Sequence, residues 1–270
     1  MNLQIPLLSA KVYDLGQPYF VGMPHYPTHP PYTYSLTKQH GDFVSHAGMS
    51  SSAEAISLGS HVGTHIDGLC HFSCCGKVFG GVNADAIQST GKGFSQMGID
   101  TLAPIVRRAV LFDVAGFLRV PALEHDFAIL PELLEEMAVT QKLQLRPGDI
   151  ALLRTGWGQF FRDQRRFITG GKKSLSPAGP GPELAAATWL SAQGIFAAGS
   201  DTVAFEKVPT AEMPVHVHLL VESGIHIIEC LNLEELARDS IRVCTFVASP
   251  MKIEGGTGAP VRPLGFVSVS

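Results

Sequence analysis

Charge is scarce in this chain. Asp, Glu, Lys and Arg make up 16% of its 270 residues, against about 25% in an average protein, so something other than solvated charge must cover its surface. There is no basic excess either. The formal charge is −4, and the few Lys/Arg pairs are not interleaved with aromatic platforms, which disfavours nucleic acid as a partner. Apolar runs stay short of the ~20 residues that span a membrane, and Met1–Ala10 lacks the basic and apolar regions of a signal peptide. A soluble, cytoplasmic protein with no membrane partner is expected. The five cysteines are an odd number, with Cys70, Cys74 and Cys75 bunched and Cys230 and Cys244 inside apolar runs. That usage fits buried, reduced thiols better than a disulfide framework.

Two motifs are also missing. Gly48-Met49-Ser50 is followed by Ser51-Ser52, without the second glycine of a nucleophile elbow. Gly91-Lys92-Gly93 sits in a short turn without the rest of a nucleotide-binding fingerprint. What the chain does have is a 45% hydrophobic fraction, 28 glycines, 18 prolines and eleven histidines. The apolar fraction argues against disorder, and the glycines and prolines promise many turns. At about 150 residues per domain the length suggests two domains, but one large α/β domain also fits.

Alternation and Gly/Pro punctuation predict strands around Lys11–Leu15, Ala109–Val114, Ile150–Arg154, Ile195–Ser200, Ile225–Cys230 and Ile241–Ala248. Helical patterns lie between several of them. Pro131 opens one, with Leu133, Leu134 and Met137 on one face, and Pro182-Glu183 opens Leu184–Gln193, with Gly194 placed as its C-terminal cap. Strands alternating with helices predict one α/β domain with a mixed or partly parallel sheet. Gly16–Pro31 holds five prolines and reads as an extended arm packed over something, because proline cannot serve a central strand. Arg162–Pro182 begins with Arg162, Arg165 and Arg166 and ends in Ser-Pro-Ala-Gly-Pro-Gly-Pro. It reads as a long surface loop, either solvated or a lid over a site.

The informative segment is Ser60-His61-Val62-Gly63-Thr64-His65-Ile66-Asp67-Gly68-Leu69-Cys70-His71-Phe72. On a straight strand His61 and Asp67 would stand ~20 Å apart, beyond the reach of one cation. Ligand bonds of about 2.0–2.2 Å therefore require either a fold-back, which Gly63 and Gly68 permit, or a helical turn pairing His61 with His65. Two imidazoles and a carboxylate suit Zn²⁺ or Mn²⁺. The cysteines nearby are the weaker ligand set. A second group is His216-Val217-His218 together with Glu229, whose strand parity with Ile225 and Ile227 predicts burial. A buried carboxylate needs a metal, a backbone turn or a partner such as Arg242. His226 has the opposite parity and reads as a satisfied core or surface residue.

The pattern His61-x-Gly-Thr-His65-x-Asp67-x-x-x-His71-Phe72 resembles the signature of the cyclase-like metal-dependent hydrolases, which include bacterial kynurenine formamidase (arylformamidase) and isatin hydrolase. Weaker, collinear likenesses follow at Gly22–Pro27, Leu153–Trp157, Gly199–Thr202, His216–Leu220, Ile228–Leu233 and Gly258–Arg262. The resemblance implies a swivelling β/β/α architecture and a homodimer or homotetramer to which the arm contributes. It implies one or two divalent ions, Zn or Mn, held by His61, His65, Asp67, His216 and Glu229, with His71 moving the proton and Tyr26 lining the substrate site. By its distance from Leu219-Leu220, His216 is preferred over His218 as ligand. Leu69 stands where the signature has proline, a departure that bears on the substrate. The expected chemistry is hydrolysis of an amide C–N bond in a small aromatic or cyclic substrate, an aryl formamide first and an isatin-like lactam or a lactone second. A non-catalytic metal-dependent binding protein is the alternative, and it would not need His71.

Overall fold

Apolar runs such as Ile150–Leu153 have no polar face, which is what a strand covered on both sides requires. In the computed structural model, which describes residues 9–173 and 176–268, these runs form the middle of a nine-stranded mixed sheet. Its order is Ala10–Asp14, Leu264–Ser268, Val243–Ala248, Ile105–Asp113, Ile150–Arg154, Ala197–Ser200, His226–Glu229, His65–Asp67, Gly258–Pro260. The four strands from Ile105–Asp113 to His226–Glu229 run parallel to one another. The flanking strands on both sides pair antiparallel.

Strand parity divides the core in two. Val110, Phe112, Ala151, Leu153, Ala198 and Ile227 face the helices Pro131–Thr140 and Leu184–Ala192, meeting Leu134, Met137, Ala187 and Leu190. Ala109, Leu111, Ile150, Leu152 and Ile228 face the other way, into a cluster that includes both Tyr13 and Ala259. Those two residues lie on the opposite edge strands, so the sheet curls until its ends share one core.

The sequence expectations hold for the α/β class and the mixed sheet, and the six strands and two helices appear within a few residues of their expected limits. Ile105–Asp113 begins four residues earlier than expected because its first half pairs only with Val243–Ala248. Arg162–Pro182 is corrected. It contains a helix, Gln164–Thr169, started by the Asp163 side chain accepting from the Arg166 backbone N–H and stopped at Gly170 in the left-handed region. Phe167, Ile168 and Thr169 are buried, and Gly181–Pro182 pairs with Ala128–Ile129. The arginines taken as a solvated cluster have aromatic partners: Arg166 lies over Phe160 and Arg162 over Phe20. Residues 174–175 of this stretch lie outside the described residues. The cysteine expectation is corrected in part, since Cys70, Cys230 and Cys244 are buried but Cys74 and Cys75 are exposed.

The arm packs on the motif segment of its own chain. The Gln17 backbone N–H donates to Thr64 Oγ1, the Tyr19 hydroxyl donates to the Val62 and Thr64 carbonyls, and Met23 is fully buried.

Candidate metal centre

The motif folds as a turn followed by a short strand, which selects the fold-back over the helical alternative. Gly63 has φ +68°, and a Cβ there would stand 2.8 Å from Met23 Cε and Tyr19 Cζ. Only glycine meets both conditions. Gly68 is needed for a different reason: a Cβ would stand 2.9 Å from the Thr257 carbonyl oxygen. Between them, His65–Asp67 lies antiparallel to His226–Glu229, with His65 directly opposite Glu229.

Each side chain is then fixed by its neighbours. His65 Nδ1 is 2.8 Å from the Gly63 carbonyl, which can only accept, so Nδ1 carries the proton and Nε2 presents its lone pair. That Nε2 lies 3.3 Å from Glu229 Oε2 and 3.6 Å from Asp67 Oδ1. His61 Nδ1 lies 2.7 Å from Asp67 Oδ1, and its Nε2 lies 2.9 Å from Thr257 Oγ1. His216 stands at the end of the short helix Pro214–His216, with Nδ1 against Glu206 Oε1 and Nε2 at 3.2 Å from Glu229 Oε1. Glu229 Oε1 also accepts from the Phe205 backbone N–H at 2.8 Å.

Two groups of potential ligands result: His61, His65 and Asp67, and Asp67, His216 and Glu229. Within each, one ligand atom per residue lies within 4.8 Å of the others. Asp67 belongs to both. Its Oδ2 is buried with no hydrogen-bond partner, a costly state for an ionised carboxylate unless a cation meets it. Imidazole nitrogens and carboxylate oxygens are the donor set that Zn²⁺ and Mn²⁺ accept. The residues present therefore fit a divalent cation.

The electrostatics point the same way. Burial pushes the Asp67 carboxyl up, but His71, His61 and His65 outweigh it and hold the group well below the usual carboxylate range. Glu229, resisting its own burial through His216 and His65, falls to about 2. His216 is carried up to about 10, since the bonds to Glu206 and Glu229 overcome its burial. His71 goes the other way, down to about 3, because burial and the neighbouring His61 and His216 outweigh Asp67. It is thus a neutral base at pH 7. Its ring stacks on His61, centroids 3.7 Å apart.

A cavity of about 150 Å³ opens onto this cluster, lined by His65, His71, His216 and Glu229 and walled by Tyr26, Phe72, Val203 and Met213. Six sequence candidates, His61, His65, Asp67, His71, His216 and Glu229, thus come together, with Tyr26 on the wall. His218 points elsewhere, bonding Ser191 Oγ and Glu222 at 2.8 Å each. Arg242 lies near Asp113 and not Glu229. His226 is a satisfied core residue, donating from Nδ1 to the Asp67 carbonyl.

Sequence reasoning missed Glu206, His29 and Thr257. Glu206 is 2% exposed in a stretch without regular structure, so no periodicity marks it. His29, whose Nδ1 donates to the His61 carbonyl and which lines the cavity, lay inside the recognised arm.

A family model named Cyclase matches residues 13–207. The chain belongs to the cyclase family. The match takes in the motif segment and Glu206 but ends before His216 and Glu229. A curated relative, isatin hydrolase from Roseibium aggregatum, is 27% identical over 215 residues, spanning 78% of this chain and 73% of the relative. The crystal structure of a novel cyclase superposes with a TM-score of 0.85 at 27% identity, covering 95% of this chain and 86% of that one. An isatin hydrolase bound to the product analogue thioisatinate superposes with a TM-score of 0.77, covering 97% and 94%. At 21% identity that likeness speaks for the fold alone. Together the matches support a cyclase-like hydrolase.

Proposed function

We propose that this chain is a metal-dependent hydrolase of amide C–N bonds in small aromatic or cyclic substrates, with an aryl formamide and an isatin-like lactam as the two leading candidates. The carrying observation is Asp67: a buried carboxylate shared by two ligand groups, with one oxygen unpartnered, beside a cavity that also exposes a neutral histidine. The ligands in this reading are His61, His65, Asp67, His216 and Glu229. When bound, a divalent cation supplies an activated water at neutral pH and polarises the carbonyl under attack.

The chain's own residues do the rest. Tyr26, Phe72, Val203 and Met213 offer apolar and aromatic contact to a flat ring and displace water from it. His71 takes the proton from the nucleophile and delivers it to the departing nitrogen, the two halves of one general base and acid cycle. Glu206 holds His216 by Nδ1, so that Nε2 stays aimed at the centre. The curated isatin hydrolase relative favours the lactam, and the signature favours neither substrate over the other.

Turnover of an aryl formamide, isatin, an aliphatic lactam and a lactone, measured before and after chelation, tests the reading. Hydrolysis of one of the first two, lost on chelation and restored by Zn²⁺ or Mn²⁺, is expected. Turnover that chelation leaves untouched overturns it. The reading extends to a homodimer or homotetramer. It is supported by the exposed hairpin of Thr33–Lys38 and Ala53–Ser57, with Tyr34, Leu36 and Ile56 in solvent. A monomer in light scattering at micromolar concentration would remove that extension.

A further inference from the structure

Outside the buried centre, two adjacent cysteines stand in solvent at the tip of a tight turn. Cys74 and Lys77 exchange both backbone hydrogen bonds, at 2.9 and 3.0 Å, which closes a two-residue hairpin with Cys75 and Gly76 at its corner. Both corner residues are left-handed, with φ 52° and 74°. That geometry favours Asn-Gly, and a cysteine in the first position carries a conformational cost. The cost has a visible result. Neighbouring side chains on an extended strand point to opposite sides, but the left-handed Cys75 swings its sulphur back to within 3.8 Å of Cys74 Sγ.

That separation is a ligand bite. Two sulphurs bound at about 2.3 Å to one tetrahedral cation stand about 3.8 Å apart. Contact with Cys75, with smaller contributions from desolvation and then from the charges of Glu222 and Glu212, raises the Cys74 thiol above its ordinary value. The same negative field that opposes a bare thiolate attracts a cation. The other thiols do not compete, because burial lifts Cys70 to about 11 and Cys244 to about 12 and holds Cys230 well above the usual range.

We propose that Cys74 and Cys75 form a soft-cation site at the protein surface, separate from the buried centre, that takes a thiophilic divalent ion such as Cd²⁺ or Zn²⁺ as a dithiolate. Two S–H bonds break, two metal–sulphur bonds form, and both protons pass to solvent without any change of oxidation state. Water completes the coordination. The ion count of the protein in zinc then exceeds what the buried centre holds.

The test is a Cd²⁺ titration of the full chain, preloaded with Mn²⁺ and kept reduced with a phosphine. It is followed by the ultraviolet thiolate-to-cadmium band and by proton release, which accompanies thiolate ligation. Wild-type protein is expected to develop the band to saturation at one ion per chain and to release protons in step. Cys74→Ser is expected to lose both signals. Cys75→Asn is also expected to lose them, and because asparagine tolerates the left-handed corner its loss cannot be assigned to misfolding. A wild-type titration without the band, or a band retained at full strength in either variant, overturns the proposal.

Discussion

The two halves of the candidate centre are built differently. His61, His65 and Asp67 come from seven consecutive residues, and the backbone does most of the positioning: the Gly63 turn bends the segment, and the Gly63 carbonyl orients His65. His216, Glu229 and Glu206 come from three separate segments and are held by one another through buried, charge-assisted bonds. A backbone-built half loses little when one partner changes. A side-chain-built half loses buried charge-assisted bonds when one member is removed, and breaking such a pair is costly.

The sharpest way to break this comparison is Glu229→Ala. In the cation-free protein at neutral pH, His216 with its pKa near 10 is charged; it loses Glu229 but keeps Glu206, so the expected cost is about 3 kcal/mol, the low end for breaking a buried pair. Urea unfolding checks the figure. The variant should also bind at most one cation, in the His61, His65, Asp67 half. Next comes His71→Gln, which removes the proton-transfer group and touches no ligand bond. Turnover is expected to fall about 10²–10⁴-fold with metal content unchanged. Unchanged turnover would take the proton-transfer role away from His71, whereas the non-catalytic binding protein would show no turnover in the wild type either. Glu206→Gln is expected to weaken cation affinity in the second half by about 10–100-fold, read by competition with a chelating dye, while the first half keeps its affinity. The smallest effect is Gly63→Ala. The left-handed residue costs about 1–2 kcal/mol, with a further increment where Met23 and Tyr19 must move, and thermal unfolding of the apo protein reads the sum.

The same division explains what could be read from the chain alone. The first half was legible because its ligands sit at short spacing with Gly63 at the turn and Gly68 at a close backbone approach. The parallel strands were legible because Ile150–Leu153 is apolar on both faces and Ile225, Ile227 and Ile228 give the Ile225–Glu229 stretch a β-branched, apolar run. The two strands at one end of the sheet were not. His65–Asp67 is a strand made of two polar ligands around one isoleucine, and Gly258–Pro260 carries the residues that normally mark a turn, so both depend on their partners for pairing. In Arg162–Pro182 the arginines and prolines masked the Phe167-Ile168 anchor, which burial shows to be decisive. Glu206 left no signal, since only the folded chain brings it to His216.

Asp67 joins the two halves, and one comparison on it tests the account most directly: metal content and hydrolysis of the wild-type protein and of Asp67→Asn, measured side by side on purified, folded samples. The account predicts one or two divalent ions per chain and hydrolysis in the wild type, with both lost from the buried centre of the variant. A variant that keeps its buried ions and its activity would contradict it.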